Sequence, residues 1–506
     1  MENELYVKGR PRKRAKSDVY LHEFRSHQAI MNQLRQSDIL ERGVSNKSAV
    51  SCPFARRGET ADRFVCRTLE EVGTMRRGRI VGVFWIALWL IVCLGSSSRA
   101  DVSPGDVIDR TNWQKAEGLL PEPVLGWVKR GDELRVEELS FKPSEYLPPA
   151  VAQSMTANVG RYDIDEDGVL VDVKTGSLPD FVEGLPFPQV DPKDPKAGTK
   201  LMYNKSYYSY ATGHMICPFQ TRWIGRGTGL EREVDCDYLT YVMDGYPGVR
   251  GEANPENFEV HSVMRVLAPF DIAGTNVLTW RYRDKRPDNT FTYVPAIRRI
   301  RRMSPANRSD AFVGSDFCMD DAWGYAGKVS AFNWKILRKE EQLVPFYDRS
   351  PLQLEPSEQG EYLTARGTKE VIWGYQKEGY PGAPWFPVNL VWVKRPTYVL
   401  EIEAKDPYYN YGVQYLWLDA EFFQPTFKVI HDRSGAYWKV EWQPQCAWES
   451  PDKKVLLLGL GCMIAVDDRT EHATVIIFFN RNNRTHFFAK QDRNDYSLGG
   501  FQKLCK

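Results

Sequence analysis

Alternation of apolar and polar residues with a period of two, in the second half of the chain, constrains the fold most. Residues 277–283, 398–404 and 436–442 each alternate in this way, and residues 474–479 are more continuously apolar. Successive side chains of a strand point to opposite faces, so this pattern predicts antiparallel strands with one apolar and one polar face. We see no internal repeat and no Ser/Gly-rich linker. The pattern therefore predicts a mainly β fold with a few helices, in a single domain over residues 101–506.

Helix is predicted only near the start of this domain. Ser103 is a suitable N-cap and Pro104 a suitable first helical residue, so a helix is expected from there to Gly118. A second short helix is expected over residues 121–130, where Gly131 would end it.

Residues 75–100 have the three-part layout of a secretory signal peptide. Arginines follow Met75, an uncharged apolar run occupies residues 80–94, and small residues stand at positions −3 and −1 of a cut before Asp101. The apolar run is about 15 residues long, and a membrane-spanning helix needs about 20. We therefore predict a cleaved signal peptide and a periplasmic location, with an uncleaved signal anchor as the alternative.

Residues 1–74 are polar, rich in Arg and Lys, and without sustained periodicity. They are either an extension produced by a mis-assigned start codon or a cytoplasmic tail ahead of a signal anchor. Arginine before the apolar run keeps that end inside in both cases. Both interpretations place residues 101–506 beyond the inner membrane.

The composition narrows the classes of partner. The formal net charge is +1, which does not favour nucleic acid, and aromatic residues make up 13% of the chain. Aromatic side chains can line a large apolar surface or cavity. The predicted domain contains six cysteines, an even number that permits disulfides in an oxidising compartment. The nearest in sequence are Cys217 with Cys236 and Cys446 with Cys462, and the connectivity stays open.

The segment 163–168 is similar to the start of a calcium-binding loop. Asp163, Asp165 and Asp167 stand at positions one, three and five, with glycine next. Position twelve, which should carry a bidentate carboxylate, is Lys174. A β-hairpin with Asp-Gly at its turn explains the same residues. We predict no metal site and keep calcium as a weak alternative.

The densest charge cluster is the arginine run at 298–302. On a strand, Arg299 and Arg301 point one way while Arg298 and Arg302 point the other. One hypothesis is a charge network that fixes this strand to the acidic loop after it. The other is that one arginine face holds an anionic head group at the mouth of a cavity. The predicted network comprises Arg298, Arg302, Asp316, Asp320 and Asp321.

Motifs for catalysis are not apparent in the sequence. Ser315 lacks the glycine spacing of a nucleophile elbow, the histidines are isolated from one another, and no phosphate-binding glycine loop occurs. We therefore predict a protein that is not an enzyme and carries no cofactor.

Several longer motifs resemble a known family. They occupy residues 123–132, 160–168, 184–188, 291–305, 314–316 and 320–321. On these motifs the chain resembles the bacterial domain-of-unknown-function family thirteen twenty-nine, whose members are often described as outer-membrane lipoprotein-sorting-like, over roughly residues 120–480.

The resemblance implies a fold similar to the lipoprotein-localisation carriers. Such a fold is a large, strongly curved, half-open antiparallel β-barrel with a helical lid over an apolar cavity. It also implies a periplasmic setting, often beside a resistance-nodulation-division exporter. The family supplies no catalytic residues.

Together these observations predict a periplasmic carrier for a hydrophobic ligand such as a lipid, an acyl chain or a sterol-like molecule. An inner-membrane exporter and an outer-membrane protein are the expected partners, and nucleic acid is not. One alternative is an interaction subunit of an exporter complex without a ligand, and another is an envelope hydrolase. The predicted ligand-binding residues are Trp280, Tyr282, Arg299, Arg301, Trp438 and Trp442.

Overall fold

A computed structural model of the chain describes residues 102–478 and 483–505. The predicted signal peptide at 75–100 and the extension at 1–74 lie outside these residues. The described part is mainly β with a few helices, as predicted. Eighteen of its strands belong to one large curved sheet, and two small two-stranded sheets stand apart from it. The small sheets pair β1 (Val107–Ile108) with β2 (Leu134–Arg135), and β3 (Tyr162–Ile164) with β4 (Leu170–Asp172).

The large sheet is built from strands β5 to β22. Their bounds are β5 Met215–Gly225, β6 Gly229–Val242, β7 Phe258–Ala268, β8 Asn276–Tyr282, β9 Asn289–Val294, β10 Arg299–Arg302, β11 Phe332–Phe346, β12 Leu352–Pro356, β13 Tyr362–Thr364, β14 Val391–Ala404, β15 Tyr411–Asp419, β16 Pro425–Asp432, β17 Tyr437–Trp442, β18 Gln445–Glu449, β19 Leu456–Leu460, β20 Cys462–Asp467, β21 His472–Ile477 and β22 His486–Phe487. All four segments predicted as strands lie largely within β8, β14, β17 and β21.

The main run of the sheet is antiparallel, in the order β10-β9-β8-β7-β6-β5-β21-β20-β17-β16-β15-β14-β11. Short strands continue it from β11. Strand β18 pairs in parallel with β11 and β12, β12 pairs with β13, and β13 pairs with β22. Strand β22 then pairs with the edge of β5 that also pairs with β21.

The four α-helices of the described residues are α1 Glu122–Arg130, α2 Pro149–Ala157, α3 Ala197–Tyr210 and α4 Leu498–Leu504. Helix α1 confirms the predicted second helix. The helix predicted from Ser103 to Gly118 is wrong, because the residues there form strand β1 and a short 3-10 helix, Trp113–Ala116. The Pro-Gly pair directs a turn instead, and Gly105 adopts a φ of 96°.

Both faces of the sheet near β8 are buried. One face looks into the concave side of the sheet. The other packs against the C-terminal segment, where Tyr496 and Phe501 belong to the same hydrophobic cluster as Leu278 and Tyr282. No helix among the described residues is both long and apolar enough to cross a membrane.

Candidate ligand-binding cavity

A largely apolar cavity of about 250 Å³ lies on the concave side of the sheet. Its walls come from β5 to β8, from helix α3, and from a segment that crosses the concave face, residues 308–326, which we name the crossing segment. Strands β18 to β22 complete it. Helix α3 therefore covers the cavity as the predicted helical lid would.

Alternate residues of four neighbouring strands point into the cavity. Since every second side chain of a strand shares a face, each strand contributes a regular series. The series are Met215, Cys217, Phe219, Thr221 and Trp223 from β5; Val234, Cys236, Tyr238, Thr240 and Val242 from β6; Val260, Ser262 and Met264 from β7; and Val277, Thr279 and Arg281 from β8. The composition of the cavity wall thus follows from the alternation of side chains along these four strands.

The crossing segment places an aromatic side chain against these strands. Trp323 stacks on Phe478 with ring centroids 4.9 Å apart and lies 5.7 Å from the ring of Tyr238. Its φ is 57°, and Val313 of the same segment has a φ of 50°. For non-glycine residues this left-handed conformation is strained and is retained only where the surroundings enforce it. Two such residues in the cavity wall mark the segment as tightly positioned.

Acidic side chains fasten the crossing segment to the sheet. Asp316 lies 2.8 Å from the His472 ring and accepts a hydrogen bond from the Thr474 hydroxyl, both on β21. Asp320 pairs at 2.5 Å with Arg308 of the same segment and accepts a hydrogen bond from the hydroxyl of Tyr409, just before β15. Asp321 pairs with Lys428 of β16. The segment is therefore held at several points along its length.

Asp321 belongs to a buried charge cluster on β16 and β17. The Lys428 ammonium lies 2.5 Å from the Asp321 carboxylate and 2.9 Å from that of Glu441, and all three side chains are essentially inaccessible. Burial raises the pKa of Glu441 well above its ordinary value, and the negative Asp321 adds to that rise. Burial alone would raise the pKa of Asp321, but Lys428 and Lys439 hold it down, to about 2.

The predicted charge network is thus wrong in its cationic half. Asp316, Asp320 and Asp321 do anchor a loop, but their partners are not Arg298 and Arg302. Strand β10, which carries the arginine run, pairs only with β9 among the described strands and turns its arginines to solvent. Sequence proximity suggested partners that the fold keeps apart.

The contact between Asp316 and His472 makes the stability of the fold depend on pH. The hydrogen bond to Asp316 raises the pKa of His472 above its ordinary value. This contribution is present below about pH 6.5 and is lost as the pH rises through the raised pKa of the folded protein. We expect the difference in unfolding free energy between wild type and His472→Gln to shrink over that window, as measured by denaturant titrations. A constant difference at all pH values would contradict this.

One end of the cavity is cationic. Lys205 of α3, Arg281 of β8 and Arg308 of the crossing segment line it, and no carboxylate does so among the described residues. Arg281 is held by Asp288 at 2.7 Å and donates to the carbonyl of Ala326. The remainder of the lining is dominated by aliphatic, aromatic and hydroxyl side chains.

The structure places Trp280 and Tyr282 outside this cavity. Both lie on the other face of β8, where they pack on Phe258 with centroids 6.0 Å and 5.1 Å away. The Trp280 indole donates to the carbonyl of Tyr496. The alternation of β8 is as predicted, but the residues that face the cavity are Val277, Thr279 and Arg281 and not the aromatic series.

Trp438 and Trp442 were expected on one face of β17, but they lie on different sides. A bulge at Trp438 interrupts the pairing between β16 and β17. Trp438 packs beside Tyr411 and donates to Asp467, whereas Trp442 is buried between Trp127 and other rings of a closed core. Neither belongs to the cavity lining.

Arg299 and Arg301 are exposed on the edge strand β10 and do not line the cavity. These two arginines are therefore not placed to hold an anionic head group at the mouth of this cavity, which was the role predicted for them. The cations that do line it come from α3, β8 and the crossing segment.

The acids of the calcium-like segment belong to the β3–β4 hairpin, with Asp163 on β3 and Asp165 and Asp167 in the turn. Asp163 pairs with Lys200 at 2.9 Å, Asp167 pairs with Lys285 at 3.2 Å, and Asp165 accepts from the backbone of the turn. Gly168 adopts a φ of 82° at the turn. The hairpin interpretation accounts for these residues, and no cluster of three or more metal-ligating side chains occurs among the described residues.

The six cysteines of the domain carry free thiols, so neither of the two pairs that are nearest in sequence forms a disulfide. Cys217 and Cys236 lie on the cavity wall, on the adjacent strands β5 and β6. Burial raises the pKa of each thiol to about 12. Both thiols therefore stay protonated at neutral pH and act as apolar lining.

Sequence reasoning missed Lys205, which the structure places at the cationic end of the cavity. A signal for it exists in the tyrosine-rich helix α3, where Tyr203, Tyr207, Tyr208 and Tyr210 surround one lysine on a helix that is buried almost all round. A cation in such a helix is expected to face a polar site rather than solvent.

Comparison with known proteins places the chain in a family. No curated protein is similar enough to count as a relative. Among solved structures, an outer membrane lipoprotein-sorting protein domain from Vibrio parahaemolyticus aligns with 16% identity over 62% of this chain and 100% of its own, with a TM-score of 0.42. A DUF1329 family protein from Desulfovibrio piger aligns with 16% identity, 61% and 99% coverage and a TM-score of 0.40.

A LolA superfamily protein from Nitrosomonas europaea aligns with 12% identity over 57% of this chain and 91% of its own, with a TM-score of 0.34. The family profile described as "protein of unknown function (DUF1329)" matches residues 107–499, which is most of the chain and nearly all of its described part. The chain belongs to the DUF1329 family.

Proposed function

We propose that the protein is a periplasmic carrier for a hydrophobic, lipid-like ligand and that it works with an envelope export system. The observation that carries the proposal is the apolar cavity, lined by alternate residues of β5 to β8 and covered by α3. Concave, mostly apolar sites with a few convergent polar groups are the usual form of small-molecule sites. The predicted signal peptide supports the location.

An acyl chain suits such a cavity energetically. Each buried methylene contributes about 0.8 kcal/mol, so a chain of about ten carbons gains about 8 kcal/mol before the entropic cost of association. Binding of this kind needs no polar contacts at particular positions along the acyl chain. The proposal includes no catalytic step.

Filling the cavity tests the proposal. Met264 lies on β7 and lines the cavity, so Met264→Trp should occupy ligand space and weaken the binding of a fluorescent fatty acid by about ten-fold or more. Leu267, on the same strand, is half exposed and outside the cavity, so Leu267→Trp should bind as wild type does. Circular dichroism would establish that both variants are folded.

Native mass spectrometry of gently purified protein gives an independent test. A carrier is expected to retain lipid-like molecules, and Met264→Trp is expected to retain fewer. Wild-type protein that carries no ligand and binds neither fatty acids nor sterols would overturn the proposal. Capture of an exporter without any bound lipid would favour an interaction subunit instead.

A further inference from the structure

The cationic end of the cavity carries a second inference, which rests on the proposed carrier function and narrows the ligand. Lys205 is 4% exposed, and its ammonium donates one hydrogen bond, to the carbonyl of Tyr325 at 2.5 Å. Among the described residues, no carboxylate lies within ion-pair distance of the Lys205 ammonium. Its two cationic neighbours in the lining, Arg281 and Arg308, each pair with a carboxylate. An ammonium carries three donors, so two remain for another partner.

The neighbouring arginines are already compensated. Arg281 pairs with Asp288, and Arg308 pairs with Asp320. These pairs fix both guanidinium groups at the cavity end. Lys205 is therefore the cation at this end whose charge the protein itself does not balance.

A buried ammonium without a counter-ion is costly, because the charge has lost its hydration and gained no partner. This cost lowers the affinity of the Lys205 side chain for its proton. Burial, together with the charges of Arg281 and Lys428, lowers the pKa of Lys205 to about 7. An anion placed beside Lys205 would supply the missing charge and reverse this shift.

We propose that the ligand is an amphiphile with an anionic head group, a carboxylate or a phosphate, which binds Lys205 between Arg281 and Arg308 while its hydrocarbon chain lies along the apolar wall. The head group accepts hydrogen bonds from the ammonium and faces the two guanidinium groups. The chain extends along Thr279, Val277 and the cavity-facing residues of β7 and β5. A neutral lipid fills the same wall but leaves Lys205 unpaired.

The test compares three probes of equal chain length, namely laurate, dodecyl phosphate and dodecanol, in calorimetric titrations with the full domain at about pH 6, below the pKa of Lys205. A hydrogen-bonded charge pair predicts that wild type binds at least one anion about ten- to hundred-fold more tightly than the alcohol. The ratio of laurate to dodecyl phosphate distinguishes the two sources of the anionic group.

Two variants on helix α3 complete the design. Lys205→Met should abolish the preference for the anion while it leaves the affinity for dodecanol unchanged or increased. Lys200→Met, on the same helix but paired with Asp163 and Asp194 outside the cavity, should keep the preference. The wild-type comparison decides by itself if Lys205→Met does not fold.

The outcomes separate the two proposals. Equal affinity of wild type for the anions and the alcohol would overturn the anionic head group and leave the carrier function intact. Retention of the preference in folded Lys205→Met would also overturn the assignment of the anionic head group to Lys205, because another residue would then recognise the charge of the ligand. No binding of any of the three probes would count against the carrier function itself.

Discussion

Replacing Lys428 with methionine is expected to lower the free energy of unfolding by about 3–5 kcal/mol, because it leaves a buried carboxylate without its counter-ion. Asp321 keeps hydrogen bonds from the Tyr411 hydroxyl and the Cys318 backbone N–H, but these do not balance its charge. Methionine has nearly the same length as lysine, so the loss is electrostatic more than steric. Urea titrations followed by tryptophan fluorescence measure it.

A matched control uses a lysine on the surface. Lys335 forms an ion pair with Glu401 at 3.3 Å, and its side chain is largely exposed. Lys335→Met should change stability by about 1 kcal/mol or less, as exposed pairs do. The double variant Lys428→Met with Asp321→Asn should recover part of the loss, since it removes the unpaired charge. A loss for Lys428→Met no larger than that of the surface control would contradict the role assigned to the cluster.

Truncating Trp442 to alanine is expected to destabilise the protein by about 3–5 kcal/mol, the cost of emptying a closed aromatic core. Its ring lies 5.2 Å from Phe386, 5.6 Å from Trp392 and 6.0 Å from Trp127, and it is fully buried. Thermal and chemical unfolding would measure the loss. Because Trp442 lies outside the cavity, a folded Trp442→Ala protein should bind fatty acid as wild type does.

Trp438→Ala provides the comparison on the same strand. Trp438 is only half-buried, so its truncation should cost clearly less than that of Trp442. If Trp442→Ala remained as stable as wild type but lost ligand affinity, the assignment of this tryptophan to a closed core would fail.

The strands were predictable, and the orientation of their faces was not. The alternation around Trp280 correctly indicates a strand, and the aromatic series is the more apolar of the two. The cavity nonetheless receives Val277, Thr279 and Arg281. Helix α4 and the turn before it cover the aromatic face, and no local pattern at β8 records a cover that lies more than 200 residues further along the chain. A strand buried on both faces gives an ambiguous pattern.

The partner of Asp321 was equally beyond local reasoning. The sequence brings the arginine run near Asp316, Asp320 and Asp321, but Asp321 pairs with Lys428, which lies 107 residues later. Asp320 does pair with a nearby residue, Arg308, which lies outside the arginine run. In the sequence, Lys428 looks like a solvent-facing residue of an alternating strand. It is buried because β16 pairs with β17 and because the crossing segment covers it. The local signal that was available for the site, and was missed, is Lys205 between the tyrosines of helix α3.

The pairing of β5 with β21 and β22 has a consequence for the order of folding. Cys217 of β5 contacts Thr485, 268 residues later, so one edge of this strand stays open until nearly the whole chain is available. Contacts between such distant residues form slowly, because the intervening loop must close first. A chain that is synthesised from its N-terminus therefore cannot complete this sheet until its last strands have been made.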